Sequence, residues 1–194
     1  MYAVYHGPEG LRQIAEKVHG LARVVKAATE KLGHKVINTS FFDTLTIRLN
    51  GIAASVVHEE SERVGINLRK VDSDHVGVSF DESNSAEDIV ALLNVFVACK
   101  TNARSTKPYT TASLVKFASA LDIPAPLPAS ASLGHISTGA NLPAINSPAI
   151  PAHLSRTTPI LTQPVWNSHH SETDILRYIN YLAAKDLSLV HAMM

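Results

Sequence analysis

The distribution of proline limits where this chain can form regular secondary structure. Nine of its 10 prolines lie between residues 101 and 168. Proline removes a backbone donor and blocks the helix interior, so neither a regular helix nor a central strand tolerates the proline density after Leu121. This stretch has few charges and is rich in Ala, Ser and Thr, and we interpret residues 129–149 as a mobile linker or insertion. Packed structure is therefore expected in 1–100 and again from residue 169.

The composition supports a packed core and excludes several classes of protein. Hydrophobic residues make up 45% of the 194 positions, which is compatible with a core that needs no covalent staples. Lys and Arg total 17, as do Asp and Glu, so the chain lacks the basic excess of a nucleic-acid-binding protein. The single cysteine, Cys99, excludes an internal disulfide framework and a cysteine-rich zinc site. No run approaches the roughly 18 apolar residues of a membrane span, so no membrane partner is expected.

The clearest helix pattern covers residues 8–32. Pro8 suits the first helical turn, and Gly33 suits the position after the helix end, where φ is positive. The preceding residues 1–5 are apolar and are typical of the end of a buried helix. One helical face, which should pack against a sheet, carries the apolar residues Leu11, Ile14, Ala15, Val18, Ala22 and Val25.

The pattern then changes to the period of two that is typical of strands. Residues 41–49 alternate, with Leu45, Ile47 and Leu49 on one side, which predicts a strand with one buried face. A second helix is expected from residue 52 to residue 60, closing near Gly65.

Two short β-rich runs come next, over 66–71 and 75–80. The residues between them, Asp72-Ser73-Asp74, are typical of a hairpin turn. Ser85-Ala86-Glu87-Asp88 resembles a capping box that starts a helix. Its apolar face would carry Ile89, Leu92, Leu93, Phe96 and Cys99. The predicted order over residues 1–100 is α-β-α-β-β-α, an α+β domain with helices against a small antiparallel or mixed sheet.

Two further helices are expected beyond residue 100. One is short and covers residues 111–120. The other starts at Ser171, where Ser171-Glu172-Thr173-Asp174 repeats the capping-box pattern. We place Lys185 in its last turn, where a cation complements the helix dipole. The apolar side of this amphipathic helix carries Ile175, Leu176, Ile179 and Leu182.

The residues that could carry chemistry do not form a recognisable active site. His169-His170-Ser171-Glu172 is the densest of the histidine clusters, but no further ligands complete a zinc set, and a polar helix start explains it better. Cys99 lies on an apolar helix face, where a thiol is inert. The small residues 132–139 lack the strand and the Lys-Thr pair of a phosphate-binding loop. His6, His19 and His34 are interpreted as surface or interface positions.

Several stretches nevertheless resemble one family, in that family's own order. Residues 1–11, Phe41-Phe42-Asp43-Thr44 and Ile66-Asn67-Leu68-Arg69 look like segments of the glycine cleavage system P-protein, a pyridoxal-phosphate-dependent enzyme. Val78-Ser79-Phe80-Asp81-Glu82 is similar as well. The strongest resemblance runs from His170 through Ile179 and continues over residues 185–191. Only the proline-, alanine- and serine-rich part around 129–149 falls outside it.

The resemblance implies an aminotransferase-like enzyme of fold type I, built from two halves. On this basis residues 1–100 would be the small C-terminal domain of the first half. Residues 101–168 would form an irregular, proline-rich connector with an insertion at 129–149, and residues 169–194 would be the helix and tail that lead into the second half. The chain would be an internal fragment, because the family's Pro-Leu-Gly-Ser-Cys-Thr segment and cofactor lysine would follow Met194.

The same resemblance implies an activity and its partners. The family decarboxylates glycine with pyridoxal phosphate and passes the aminomethyl group to the lipoyl arm of the H-protein. Because the cofactor lysine would lie downstream, we assign no catalytic, cofactor-binding or metal-binding residue to this chain and expect it to be inactive scaffold. Its partners would be the rest of the P-protein, a dimer partner and the H-protein. The location would be the mitochondrial matrix in a eukaryote, which the insertion favours, or the cytoplasm in a bacterium.

Two alternatives from other classes stay open. The β-α-β-β-α order over residues 41–99 resembles half of a ferredoxin-like module, so the chain could be a ligand-binding or regulatory domain with a disordered arm. The proline-rich stretch could instead dock to a partner, although it lacks the aromatic or basic context of a PxxP ligand.

Overall fold

A computed structural model describes residues 1–100, 107–121, 152–154, 156–187 and 189. The helices are α1 (Tyr2–Lys31), α2 (Ala54–Arg63), α3 (Ala86–Ala98), α4 (Thr111–Ala120) and α5 (Glu172–Ala183). The strands are β1 (Lys35–Val36), β2 (Thr44–Arg48), β3 (Arg69–Lys70) and β4 (His75–Ser79). Single turns of 3₁₀-helix lie at Ala152–Leu154 and Pro164–Asn167. Of the helices in the described part of the chain, none has the length and apolar character needed to cross a lipid bilayer.

The chain divides into two compact units. We call the first the sheet unit; its described residues are 15–121 (without 101–106) and 152–154. We call the second the terminal unit; its described residues are 1–14, 156–187 and 189.

The sheet unit is built on one antiparallel sheet with the strand order β1-β2-β4-β3. Val36 lies opposite Ile47, and Ile47 lies opposite Val76, so these three side chains form a row across one face. Leu45 and Val78 form a second pair on that face. All five side chains are buried, as a period of two with one covered face requires.

The helices of the sheet unit supply the rest of its core. Their buried side chains include Val18, Ala22 and Val25 of α1, Val57 of α2, Ile89, Leu93 and Phe96 of α3, and Leu114 of α4. Helix α3 contacts both α2 and α4. Removing such large side chains from water is the main favourable contribution to folding, at roughly 1.5–3 kcal/mol each.

Capping groups set where two of these helices begin. The backbone N–H of Ser85 donates to Asp88 Oδ2 at 2.7 Å, and the Asp88 N–H donates back to Ser85 Oγ at 3.3 Å. This reciprocal box confirms the predicted start of α3. Helix α4 starts with the same arrangement between Thr110 and Ser113, and its bounds agree with the predicted helix over 111–120.

The α+β class is confirmed, but the predicted order α-β-α-β-β-α is wrong at one point. A two-residue strand, β1, precedes β2, so the order over residues 1–100 is α-β-β-α-β-β-α. Two residues are too few to show a period, so only pairing with β2 defines this strand. The hairpin around residues 72–74 is confirmed by the antiparallel pairing of β3 with β4, and the positive φ of Gly33 and Gly65 follows the ends of α1 and α2.

Two other predictions need correction. The apolar stretch 1–5 is helical from Tyr2, but Met1, Tyr2 and Tyr5 are exposed and only Val4 is buried. Lys185 lies beyond Ala184, the C-cap of α5, rather than in the last turn of the helix. Residues 129–149, predicted to be a linker or insertion, lie outside the described residues.

Candidate functional site

The terminal unit brings together two stretches that are more than 160 positions apart in the sequence. Helix α1 contains a non-helical residue, Gly7, with φ 65° and ψ −176°. Pro8 follows it and starts the regular part of the helix, where a missing backbone N–H costs nothing. A Cβ on Gly7 would lie 2.8 Å from Cε1 of His170 and 2.9 Å from the carbonyl oxygen of Trp166. Only glycine fits this position, both for its backbone angle and for the space available.

His170 makes a directed contact at the same place. Its Nδ1 lies 2.8 Å from the carbonyl oxygen of Tyr5. Since a carbonyl only accepts, Nδ1 carries the proton and donates it. We call this arrangement, formed by Tyr5, Gly7, Trp166 and His170, the Gly7–His170 junction.

Aromatic contacts surround the junction within the terminal unit. The ring of His6 lies 4.4 Å from the ring of Tyr2 and 5.2 Å from that of Tyr5, measured between centroids. The ring of His169 stacks on Tyr178 of α5 at 4.3 Å. His169 and His170 are adjacent in sequence but contact different residues. These contacts account for both side chains without a ligand shared between them.

Helix α5 begins directly after the junction. Ser171 is its N-cap, and its Oγ accepts from the backbone N–H of Asp174 at 3.1 Å. Glu172 and Asp174 place negative charge in the first turn, where the helix dipole favours it. This confirms the predicted helix start, and it agrees with the interpretation of His169-His170-Ser171-Glu172 as a polar helix start.

A possible set of metal ligands was missed in the sequence. In the part of the chain that the structure describes, Asp72, Asp74 and His75 are the one group of three whose ligand atoms lie within 4.8 Å of one another. Asp72 Oδ1 accepts from the backbone N–H groups of Asp74 and His75, at 3.0 and 2.9 Å, and lies 2.8 Å from His75 Nδ1. These bonds, that from the Asp74 N–H first, lower the pKa of Asp72 to about 2. These hydrogen bonds belong to the predicted hairpin turn, and they explain why the three side chains lie close together.

Two histidines expected at the surface are buried, so that prediction was wrong. His19 is 2% exposed; its Nδ1 lies 2.8 Å from the carbonyl oxygen of Phe42, and its ring stacks on the Phe42 ring. His34 is 4% exposed, and its Nδ1 accepts from the backbone N–H of Asn50 at 3.2 Å. Burial lowers the pKa of both imidazoles. At His19 the hydrogen bond with the Phe42 carbonyl partly opposes this and Arg23 adds to it, and at His34 Lys100 adds to it. Both histidines are therefore neutral core residues.

The nucleophile candidates are not activated. Burial raises the pKa of the Cys99 thiol, and Glu60 adds to the effect, so the reactive thiolate is disfavoured. The ammonium of Lys185 lies 4.4 Å above the ring of Tyr181, and its interaction with the Tyr181 hydroxyl raises the pKa of the lysine. Residues 132–139, considered for phosphate binding, lie outside the described residues.

The chain is similar in sequence to a known protein family. A sequence model of the family described as "Glycine cleavage system P-protein" matches residues 1–96, which include the whole sheet and most of α3. The chain belongs to the glycine cleavage system P-protein family. This confirms the resemblance noted in the sequence.

Relatives in this family match the chain over its whole length. Glycine dehydrogenase (decarboxylating) of Stenotrophomonas maltophilia (strain R551-3) is 39% identical over 193 residues, which are 100% of this chain and 16% of that protein. "Glycine dehydrogenase (decarboxylating) 2" of Pseudomonas putida is 39% identical over 196 residues, with 99% and 16% covered. "Putative glycine dehydrogenase (decarboxylating), mitochondrial" of Schizosaccharomyces pombe is 40% identical, with 99% and 17% covered. The chain thus spans about a sixth of the length of these P-protein relatives.

Proposed function

We propose that this chain is a scaffold segment of a glycine dehydrogenase (decarboxylating), the P-protein of the glycine cleavage system. The observation that carries the proposal is the 37–40% identity, across the whole chain, to proteins named for that activity. The Gly7–His170 junction supports it, because it joins two segments that resemble the family, 1–11 and 170–179. Glycine decarboxylation and transfer of the aminomethyl group to the H-protein would be activities of the larger enzyme.

Pyridoxal phosphate is the cofactor proposed for that enzyme, and it supplies an electron sink for decarboxylation when bound. The described residues of this chain do not fit a site for it. A cofactor lysine must be desolvated or have a lowered pKa. None of the chain's nine lysines, all of which lie among the described residues, is buried, and the pKa of Lys185 is raised rather than lowered. We therefore assign the cofactor lysine to a part of the enzyme outside this chain, and we assign no catalytic, cofactor-binding or metal-binding residue to the chain itself.

The proposed division follows the aminotransferase-like organisation of fold type I. Residues 1–100 form the small C-terminal domain of the first half, residues 101–168 form a connector with an insertion at 129–149, and residues 169–194 lead into the second half. The antiparallel sheet with helices α1, α2 and α3 is compatible with such a small domain.

The proposed partners are the rest of the P-protein, a dimer partner and the lipoyl arm of the H-protein. The proposed location is the mitochondrial matrix if the source is a eukaryote and the cytoplasm if it is a bacterium. The mitochondrial name of the fission yeast relative supports the first, and the bacterial relatives support the second. Detection of the protein in fractionated source cells distinguishes the two.

A decarboxylation assay tests the proposed function. The complete protein would be produced from the reading frame extended on both sides, and ¹⁴CO₂ release from carboxyl-labelled glycine measured with pyridoxal phosphate and lipoylated H-protein. We expect release by the complete protein and none by the 194-residue chain alone. Release by this chain alone would contradict its role as scaffold, and an inactive complete protein would contradict the assigned activity.

The sheet topology favours a second candidate. Strands β2, β3 and β4, joined by α2 and a hairpin, lie in the order β2-β4-β3, the arrangement of a split β-α-β unit as in ferredoxin-like modules. A ligand-binding or regulatory domain of that kind is the alternative function. A stop codon directly after Met194, together with a product that is stable on its own, would favour it. The proline-rich stretch that was considered for docking to a partner lies mostly outside the described residues.

A further inference from the structure

Helix α5 carries a continuous apolar stripe with little cover. Leu176, Ile179 and Leu182 are 65%, 41% and 38% exposed, and no residue of α5 is buried. Ile175 and Tyr178 extend the stripe, so apolar side chains recur at i, i+3, i+4 and i+7, the spacing of one helix face. Arg177 lies on the opposite, polar side, whereas Asn180 is four residues after Leu176 and borders the stripe.

A helix of this kind needs a packing partner. It has 12 residues, and isolated helices shorter than about 12–15 residues are marginal in water. Helices in proteins gain most of their stability by burying an amphipathic face. The cap at Ser171 and the charges in the first turn fix where α5 starts, but they do not replace that burial.

The terminal unit does not supply the missing cover. Among its described residues, the buried hydrophobic side chains are Val4 and Ile14, both from α1. Residues 156–187 contribute none. By contrast, the sheet unit buries side chains from each of its helices and from strands β1, β2 and β4. The described part of the terminal unit is therefore a surface without a core of its own.

We propose that the face formed by Leu176, Ile179 and Leu182 is a docking surface for another part of the same, longer polypeptide. This rests on the proposed function, in which the chain is a segment of a complete P-protein. Relatives that match this chain over its full length, α5 included, are about six times longer, since the chain covers 16% of them. Most of such a protein therefore lies outside this chain and can contact the exposed face of α5.

The size of the face favours an occupant in the same polypeptide over a second copy of the chain. A standard interface between separate proteins buries roughly 800 Å² on each partner, far more than three partly exposed side chains supply. Docking within one polypeptide does not incur the cost of lost translational and rotational freedom, so a smaller apolar face is sufficient.

Amide hydrogen exchange of the complete protein, produced from the extended reading frame, tests the docking surface. We expect the amides of Glu172–Ala183 to exchange at least ~100-fold more slowly than in an unstructured peptide, as in a packed helix. Exchange within ~10-fold of the unstructured rate would overturn the proposal. Helix α3 serves as the protected reference in the same experiment.

A pair of variants locates the contact. Ile179→Asp places a carboxylate on the apolar face, and Arg177→Asp places a carboxylate on the opposite, polar face two positions away. We expect Ile179→Asp to accelerate exchange across α5 at least ~10-fold and Arg177→Asp, which loses only an exposed ion pair with Asp174, to change it less than ~3-fold. Equal effects of the two variants would overturn the proposal. The exchange of the unmodified protein decides the matter if Ile179→Asp does not fold.

Three other results would identify a different occupant and overturn the proposal. Protection that depends on protein concentration would indicate a second copy, and protection lost on deletion of 129–149 would indicate that segment. A reading frame that neither starts upstream of Met1 nor continues past Met194 would exclude further polypeptide. The decarboxylation assay is independent: an inactive protein with a protected α5 contradicts only the assigned activity, and an active protein with an exposed α5 contradicts only the docking surface.

Discussion

His170 donates a hydrogen bond from Nδ1 to the backbone carbonyl of Tyr5 across 2.8 Å and 165 positions of sequence. The contact lies where Gly7 interrupts α1, and it joins the start of the chain to the residue just before the N-cap of α5. Both segments resemble the P-protein family, the second most strongly. Variants at the junction therefore test whether two segments that resemble the family also pack against each other.

Replacing His170 should weaken the terminal unit. We expect His170→Ala to lower the free energy of unfolding by about 1 kcal/mol, the net contribution of one hydrogen bond, with a further loss from packing against Gly7. His170→Asn, whose amide can donate from a similar position, should lose less. Urea unfolding measures both variants, and equal losses for Ala and Asn would contradict a role for the Nδ1 donor.

Replacing Gly7 should be more costly than replacing another glycine with positive φ. Gly7 (φ 65°, ψ −176°) lies in a backbone region that is essentially restricted to glycine, and Gly33 has φ 89°, so Ala incurs strain at both positions, about 1–3 kcal/mol each. A Cβ at Gly33 meets nothing within 4 Å, whereas at Gly7 it approaches His170 and the Trp166 carbonyl to under 3.0 Å. Gly7→Ala should therefore lower stability more than Gly33→Ala, as measured by urea unfolding. Indistinguishable losses would show that the junction is not close-packed at Gly7.

The cap of α3 gives a prediction for the sheet unit. Ser85→Ala removes the oxygen that accepts from the Asp88 N–H and should lower the free energy of unfolding by about 1 kcal/mol. Ser119→Ala on α4 is the control, since its exposed hydroxyl donates to the Val115 carbonyl within the same helix and caps no helix end. Thermal unfolding of both variants checks the difference, and a loss at Ser119 as large as that at Ser85 would count against the cap.

The buried histidines predict acid sensitivity. Burial lowers the folded-state pKa of His19 and His34 below 6.5, so the unfolded chain binds more protons just below that pH. The stability contributed by the neutral imidazoles is present above pH 6.5 and is lost as the pH falls through the folded-state values. The slope reaches at most about 1.4 kcal/mol per pH unit for each histidine. Unfolding measured from pH 8 to pH 5 should show a smaller slope in His34→Gln, and an unchanged slope would contradict this origin.

Pyridoxal phosphate should not label this chain at a specific lysine. Because Lys185 has a raised pKa and Lys26 and Lys70 are at least one-third exposed, borohydride reduction after incubation with the cofactor should give only weak, distributed modification. Peptide mass spectrometry locates any product. Stoichiometric modification of one lysine would show a cofactor site in this chain and would contradict the assignment of that site to other parts of the enzyme.

Local patterns predicted most of the secondary structure. The capping box at Ser85 starts α3, the alternation of Leu45 and Ile47 forms β2, and Asp72 organises the hairpin turn. These signals depend on neighbours within a few residues, so they are visible in the sequence. Strand β1 and the burial of His19 and His34 were missed, because pairing and burial depend on residues far along the chain.

The sequence by itself determined the α+β class, the positions of the main helices and strands, and membership of the P-protein family, because periodicity, caps and family segments are local in the chain. Only the tertiary structure decided that Gly7 and His170 meet, that two histidines lie in the core, and that the apolar face of α5 stays exposed. The physical reason is that these properties depend on close packing and on the exclusion of water, which are set by contacts between residues distant in sequence.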